Sequence, residues 1–327
     1  MFALLPLSSG LFMGWALGGN ASANVFGAAV ATRVVSFRTA GALFSACVIV
    51  GAVLQGRAGI ETYRELSEQD LTSVVIASLS AALCMATMTL RGIPVSGSQV
   101  IVGAICGVGL VSAHVDLSIL VRILICWVSA PVGAFFLALI IHRILLVVLT
   151  RIPMSILTRD QLLFSGLVVM GCYGSYALGA NNVANVTGVF SGHLQGIGIG
   201  DLELAVVGSV AIAFGGITFS KRVMQTVGAR IMKLDGLTAL VSVTACALTT
   251  HFFAVVGVPV STSQAIVGAI CGSALVSSGT GLHLDQLSRI FVGWFVTPIV
   301  ALILSSSLYA VHQGILLAQA APPLKLP

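Results

Sequence analysis

Leu178-Gly179-Ala180-Asn181-Asn182-Val183-Ala184-Asn185-Val186-Thr187-Gly188 repeats, 161 positions later, the stretch Leu17-Gly18-Gly19-Asn20-Ala21-Ser22-Ala23-Asn24-Val25-Phe26-Gly27. A second pair lies further along: Gly92-Ile93-Pro94-Val95-Ser96-Gly97-Ser98-Gln99 returns as Gly257-Val258-Pro259-Val260-Ser261-Thr262-Ser263-Gln264, at offset 165. A third, Arg122-Ile123 ahead of Trp127 and Pro131, returns as Arg289-Ile290 ahead of Trp294 and Pro298, at offset 167. Three collinear matches in one order mark an internal duplication. The halves read as 1–141 and 162–327, joined by a basic segment, 142–161, that holds Arg143, Arg151, Arg159 and Asp160.

The rest of the chain says where those halves live. Of 327 residues, 57% are hydrophobic and 8% charged, with mean hydropathy +1.09, whereas a soluble domain carries about a quarter charged residues. That excludes a soluble enzyme, a disordered chain and a coiled coil, and implies an integral membrane protein bathed by a lipid bilayer. The net charge of +5 comes from scattered basic residues rather than a cluster, so no nucleic-acid partner is expected. Seven cysteines fall in apolar stretches without CxxC, and no His or Cys stands at metal-ligand spacing. Neither a structural metal nor a cofactor is expected, and no nucleophile stands beside a base, so an enzyme is not indicated. Met1 to Gly18 lacks a basic n-region and reads as a mature helix rather than a cleaved signal.

Crossing about 30 Å at 1.5 Å per residue takes about 20 residues. Suitable apolar runs lie near 3–32, 40–56, 71–90, 94–113 and 117–142, and again near 162–192, 203–219, 236–255, 259–277 and 287–313. An odd number of crossings per half turns the second copy over, and the loops agree. In the first half the loop after the Asn motif holds Arg33 and Arg38, while the next, Arg57 to Asp70, holds Glu61, Glu65, Glu68 and Asp70 against Arg57 and Arg64. In the second half the bias swaps: Ser191 to Glu203 has no Lys or Arg, and the next loop carries Lys221, Arg222, Arg230 and Lys233. Inverted repeats satisfy the positive-inside rule with both termini outside; parallel repeats do not. The fold class is therefore an all-α polytopic membrane protein of two inverted-topology repeats with about ten to twelve membrane segments, an arrangement typical of secondary transporters.

The two motif pairs suggest the chemistry. Asn and Gly are poor helix formers, so Gly18–Asn24 and Gly179–Asn185 are expected to break or unwind a spanning helix and to face a protein-lined site. The plainer reading of the same residues is close helix packing. In the Pro-Val-Ser-x-Ser-Gln segments proline suits a first helical turn, and hydroxyls and an amide stand where backbone N–H groups lack partners. This is a cradle for an oxyanion, with helix capping as the plainer alternative. Expected substrate-binding residues are Asn20, Asn24, Ser96, Ser98, Gln99, Asn181, Asn185, Ser261, Thr262, Ser263 and Gln264. Arg122 and Arg289 read first as interfacial residues beside tryptophan. None of the histidines 114, 142, 193, 251, 283 and 312 is given a proton-relay role.

On these residues the sequence resembles the PiT family of inorganic phosphate transporters, whose signature is a duplicated Gly-Ala-Asn-Asp-x-Ala-Asn motif with a duplicated Pro-x-Ser-x-[Ser/Thr]-x segment. Gly179 to Asn185 matches six of the seven positions, counting the free one, and Gly18 to Asn24 matches more loosely. The resemblance covers nearly the whole chain and implies broken helices, re-entrant hairpins and symport of phosphate with Na+ or H+ by a multi-pass plasma (inner) membrane protein. Both family aspartates are absent: Ala21 stands at the first and Asn182 at the second. Coupling-ion candidates reduce to the neutral Asn20, Asn181 and Asn182, and sodium or proton coupling becomes doubtful. Phosphate carries protons that a carboxylate acceptor can read, whereas sulfate needs donors only, so sulfate or a related tetrahedral oxyanion is the alternative substrate. A passive anion channel is a further rival. A homo-oligomer is compatible with such a chain.

Overall fold

In the computed structural model, which describes residues 5–66, 70–112, 115–230, 235–277 and 284–320, all regular structure is helical. Glu68, His114, Lys233 and His283 lie outside the described residues. The first half comprises α1 (Leu7–Ala21), α2 (Ala23–Ala31), α3 (Phe37–Gln55), α4 (Arg57–Leu66), α5 (Leu71–Leu90), α6 (Gly97–Ser112) and α7 (Leu117–Arg151). The second comprises α8 (Ile156–Asn182), α9 (Ala184–Thr187), α10 (Ser191–Leu194), α11 (Asp201–Thr218), α12 (Lys221–Arg230), α13 (Gly236–Val256), α14 (Thr262–Val276) and α15 (Leu284–Ala320). The pair α8–α9 answers α1–α2, and α11 to α15 answer α3 to α7 in order.

Among the described residues, seven helices are long and apolar enough to cross a membrane. The interrupted α1–α2 and the shorter α6 and α14, of 16 and 15 residues, complete the set. The protein is a multi-pass membrane protein. At 1.5 Å per residue, α6 and α14 reach only about 24 Å and fall short of a full crossing.

Two segments expected as charged loops are helices. In α4, Ile60, Tyr63 and Leu66 recur every third residue and are buried, so one face packs inward, while Arg57, Glu61 and Glu65 are exposed. In α12, Val223 and Met224 are buried while Lys221 and Arg222 are exposed. Each is amphipathic and ten residues long, too short to register as a span. The expected linker 142–161 is also mostly helix, because α7 runs to Arg151 and α8 starts at Ile156, leaving 152–155 as the join. Nothing in α7 stops the helix before Pro153, and the Ser155 hydroxyl caps α8 by accepting from the Thr158 N–H at 3.1 Å. Acidic residues serve helix N-termini in the same way: Asp70 and Asp235, at matched positions, cap α5 and α13, and Asp116 caps α7.

The directions of packed helices establish the inversion. Helix α1 runs with α11, since Gly14 lies against Gly208 and Ala211, and Gly19 against Phe219. Helix α3 runs against α11, with Gly41 at Ile217 and the Ser45 hydroxyl on the Ala213 carbonyl. It runs with α8, where Gly51 meets Tyr176 and Gly56 meets Val183. Hence α8 runs opposite to α1, and the halves are inverted.

The seams between halves are built on glycine. A Cβ on Gly18 would lie 1.8 Å from the Ile212 carbonyl oxygen, and one on its counterpart Gly179 would lie 2.0 Å from that of Val48. Similarly, Gly103 and Gly107 of α6 press on the Pro298 and Leu302 carbonyls of α15 (2.4 and 2.2 Å), while Gly268 and Gly272 of α14 press on those of Pro131 and Phe135 of α7 (2.2 and 2.0 Å). In lipid, where apolar burial gives little drive for association, this backbone-to-backbone approach supplies the packing energy. Each short helix is thus held by the long helix of the other half.

Candidate functional site

The turns that lead into α6 and α14, residues 91–96 and 257–261, each contain a glycine in the left-handed region, Gly92 at φ +71° and Gly257 at φ +81°. Both turns are held by the first Asn of the motif in their own half. Asn20 Nδ2 donates to the Ile93 carbonyl and the Thr89 hydroxyl, each at 3.0 Å, and its Oδ1 accepts from the Val95 N–H at 3.0 Å. Asn181 Nδ2 donates to the Val260 carbonyl at 2.9 Å and its Oδ1 accepts from the Val260 N–H at 3.2 Å. A side-chain amide here pairs with backbone as a neighbouring peptide would.

The motifs themselves are broken more narrowly than expected. One residue, Ser22 in the first copy and Val183 in the second, separates two helical segments, and both keep right-handed helical torsions. At each point an N–H bonds three residues back instead of four, Val25 to Ser22 and Val186 to Val183. The surrounding alanines favour helix, and the Asn amides bond outward to the turns instead of competing with their own backbone.

The second Asn of the first motif reaches across the seam, where Asn24 Nδ2 donates to the Thr262 hydroxyl at 3.1 Å. Asn20 and Asn24 stand one turn apart on one helical face. A single turn of α1–α2 therefore touches both the approach to α6 and the first residue of α14, which brings the two helix N-termini together. The matching position to Thr262 is Gly97, which has no hydroxyl. Asn185 accordingly turns elsewhere: its Nδ2 donates to Asn182 Oδ1 at 2.8 Å and its Oδ1 accepts from the Tyr63 hydroxyl at 2.6 Å.

Ser96 and Ser261 cap their helices, accepting from the Gln99 and Gln264 N–H groups at 3.2 and 3.1 Å and pairing with the Ser98 and Ser263 hydroxyls at 3.2 and 3.0 Å. The plainer capping role is thus present in both copies. It leaves the first-turn N–H groups at Gly97, Ser98, Thr262 and Ser263 in the positions that an α-helix does not pair internally. Partial positive charge from two helix ends converges there.

All eleven expected binding residues are between 0% and 8% exposed, so the region is closed to bulk solvent. Four buried oxygens in it have no hydrogen-bond partner: Ser22 Oγ, Asn24 Oδ1, Gln99 Oε1 and Gln264 Oε1. Each such group costs about 1–3 kcal/mol when unsatisfied. Gln99 and Gln264 are symmetry mates. The three coupling-ion candidates are placed differently, because the side-chain oxygens of Asn20, Asn181 and Asn182 already accept a hydrogen bond. Arg122 and Arg289 are exposed and do not line this region. Among the described residues no group of three or more His, Cys, Asp or Glu is placed to hold a metal ion. The sequence reading passed over Ser22, Tyr63 and Thr89. Tyr63 was detectable only through the apolar stripe of α4, Ser22 lies inside the first Asn motif but is matched by Val183 in the second, and Thr89 carried no signal beyond lying in an apolar run.

Comparison with known proteins agrees with this arrangement. The model of the phosphate transporter family matches the chain twice, over residues 17–162 and 154–305, one copy per half. A Methanocaldococcus jannaschii protein that carries the name phosphate permease is 29% identical over 300 residues, covering 92% of this chain and 94% of its own. A sulfate permease of Bacillus subtilis is 28% identical over 304 residues, covering 90% of this chain and 84% of its own. A solved sodium-dependent phosphate transporter superposes with TM-score 0.88 at 20% identity, covering 96% of this chain and all of that one, and shares its fold.

Proposed function

The chain belongs to the phosphate transporter family, and on that premise we propose that it is a plasma-membrane permease that carries inorganic phosphate by alternating access of its two inverted halves. The observation that carries this reading is the meeting of the α6 and α14 N-termini at the seam between the halves, bridged by Asn20 and Asn24. Unpaired first-turn amides, the Ser98, Thr262 and Ser263 hydroxyls and the Gln99 and Gln264 amides donate to a tetrahedral oxyanion without adding charge inside the membrane. Asn20 and Asn181 act one step back, by holding the turns that present those helix ends.

Sulfate is the second reading, favoured by one observation. No Asp or Glu stands among the site residues, since Ala21 and Asn182 occupy the family's aspartate positions. A fully deprotonated oxyanion needs only donors, whereas the protons of phosphate need acceptors, which here are the unpaired Asn24, Gln99 and Gln264 oxygens. Those same neutral oxygens, with Ser22 Oγ, form the set that suits a sodium ion travelling as co-substrate.

The test is uptake of labelled phosphate and labelled sulfate by proteoliposomes, with and without an inward sodium gradient. Saturable uptake with substrate counterflow is expected, larger for phosphate. Sulfate uptake alone, indifferent to sodium, would move the assignment to the second reading. Flux without saturation or counterflow would replace both by a channel.

A further inference from the structure

Beside the turns before α6 and α14, the two halves differ in their tryptophans. Trp127 on α7 donates its indole N–H to the carbonyl of Pro259 in the turn before α14, at 3.4 Å. Its counterpart Trp294 on α15 stands beside the matching turn before α6: a Cβ on the preceding residue, Gly293, would lie 3.7 and 3.9 Å from the Val95 and Ile93 side chains that flank Pro94. Trp294 is 4% exposed, yet its indole Nε1 has no hydrogen-bond partner. The glycine and asparagine contacts at these places are paired. Gly268 and Gly272 seat α14 on α7 just as Gly103 and Gly107 seat α6 on α15, and Asn181 and Asn20 hold the two turns alike. The turn before α14 is further held by the Thr62 hydroxyl, which donates to the Gly257 carbonyl at 2.6 Å, while the matched Thr226 donates to Arg222 of its own helix.

We propose that Trp127 and Trp294 are alternating positioning residues of the transport cycle, and that the Trp294 indole N–H takes the Pro94 carbonyl in the opposite access state, when Trp127 releases Pro259. This rests on the alternating-access reading above. Inverted repeats exchange conformations between the two access states, so a contact made by one half in one state is made by its counterpart in the other. A buried N–H without an acceptor is unfavourable, and the exchange transfers that cost from one tryptophan to the other. Each tryptophan lies four residues before a proline, Pro131 or Pro298, and proline leaves the carbonyl of that earlier residue without its helical N–H donor. The turn carrying each indole is thereby loosened, while the glycine seam just beyond it stays fixed.

The chain holds three tryptophans, so a sample labelled with 5-fluorotryptophan gives three fluorine resonances, the third being Trp15. Labelled protein in nanodiscs is titrated with phosphate and with sulfate, and counterflow is measured on the same preparation in liposomes. The Trp127 and Trp294 resonances are expected to report two states in slow or intermediate exchange with complementary populations, while Trp15 stays single. Trp127→Phe and Trp294→Phe, which remove the N–H and keep a ring, are expected to shift those populations roughly three- to tenfold in opposite directions. Shifts in the same direction, or a Trp294 resonance that never moves while counterflow is intact, would overturn the alternation. Absent counterflow with the population shift preserved would overturn the transport reading and leave the alternating contact standing.

Discussion

Asparagine does two different jobs in the same motif. Asn20 and Asn181 spend donor and acceptor on the turns of their own halves, and removing either amide strands buried backbone groups at about 1–3 kcal/mol each. Asn20→Ala and Asn181→Ala are expected to reduce uptake at least about tenfold while the protein still reaches the membrane; normal rates in both variants, measured against membrane content by immunoblot, would remove them from the site. Asn24 works across the seam through one hydroxyl. Thr262→Val keeps the shape but leaves the buried Asn24 amide without that partner, so KM is expected to rise several-fold and the melting temperature to fall by a few degrees. Asn182 occupies a family aspartate position and now pairs with Asn185. Asn182→Asp should raise the dependence of uptake on external sodium, and an unchanged sodium titration would detach the coupling argument from that position. The residue types at these positions were legible in the sequence; their division into holders and donors was not, because it depends on which backbone lies within 3 Å of each amide.

At the level of elements, the short helices α6 and α14 are seated on the other half's long helix through glycines that leave no space for a side chain. Gly268→Leu and Gly103→Leu would drive atoms into the Pro131 and Pro298 carbonyls, which lie 2.2 and 2.4 Å from an added Cβ. Overpacking of this kind costs about 1–3 kcal/mol, so a lower melting temperature in detergent and loss of uptake are expected; Gly133→Ala, where an added Cβ meets nothing within 4 Å, serves as the control that lowers neither. The long helices were readable from hydropathy, but α4 and α12 were not. Their apolar stripes are ten residues long, and they are stabilised by burial against other helices rather than by lipid. Tyr63, which reaches Asn185 from α4, was legible only as one member of that short stripe.

For the whole molecule, the inversion predicts sidedness. Arg57 opens α4, and its counterpart Lys221 opens α12, 164 positions later in the other half. Single cysteines at these exposed positions, in a background without the native cysteines, should react with an impermeant thiol reagent from opposite faces of sealed right-side-out vesicles, Arg57→Cys from outside and Lys221→Cys only after permeabilisation. Labelling of both from the same face would contradict the inverted arrangement.

The sequence alone determined the membrane class, the duplication, the inversion and the family resemblance, because each rests on composition, offset or charge bias, which survive without coordinates. Only the tertiary structure decided what joins the halves. The seating of α6 on α15 and of α14 on α7, the Asn24–Thr262 bridge and the Trp127–Pro259 bond are contacts between residues more than a hundred positions apart. Such contacts follow from packing geometry, in which one missing hydroxyl at Gly97 or one unmet indole N–H breaks a symmetry that the letters present as nearly intact.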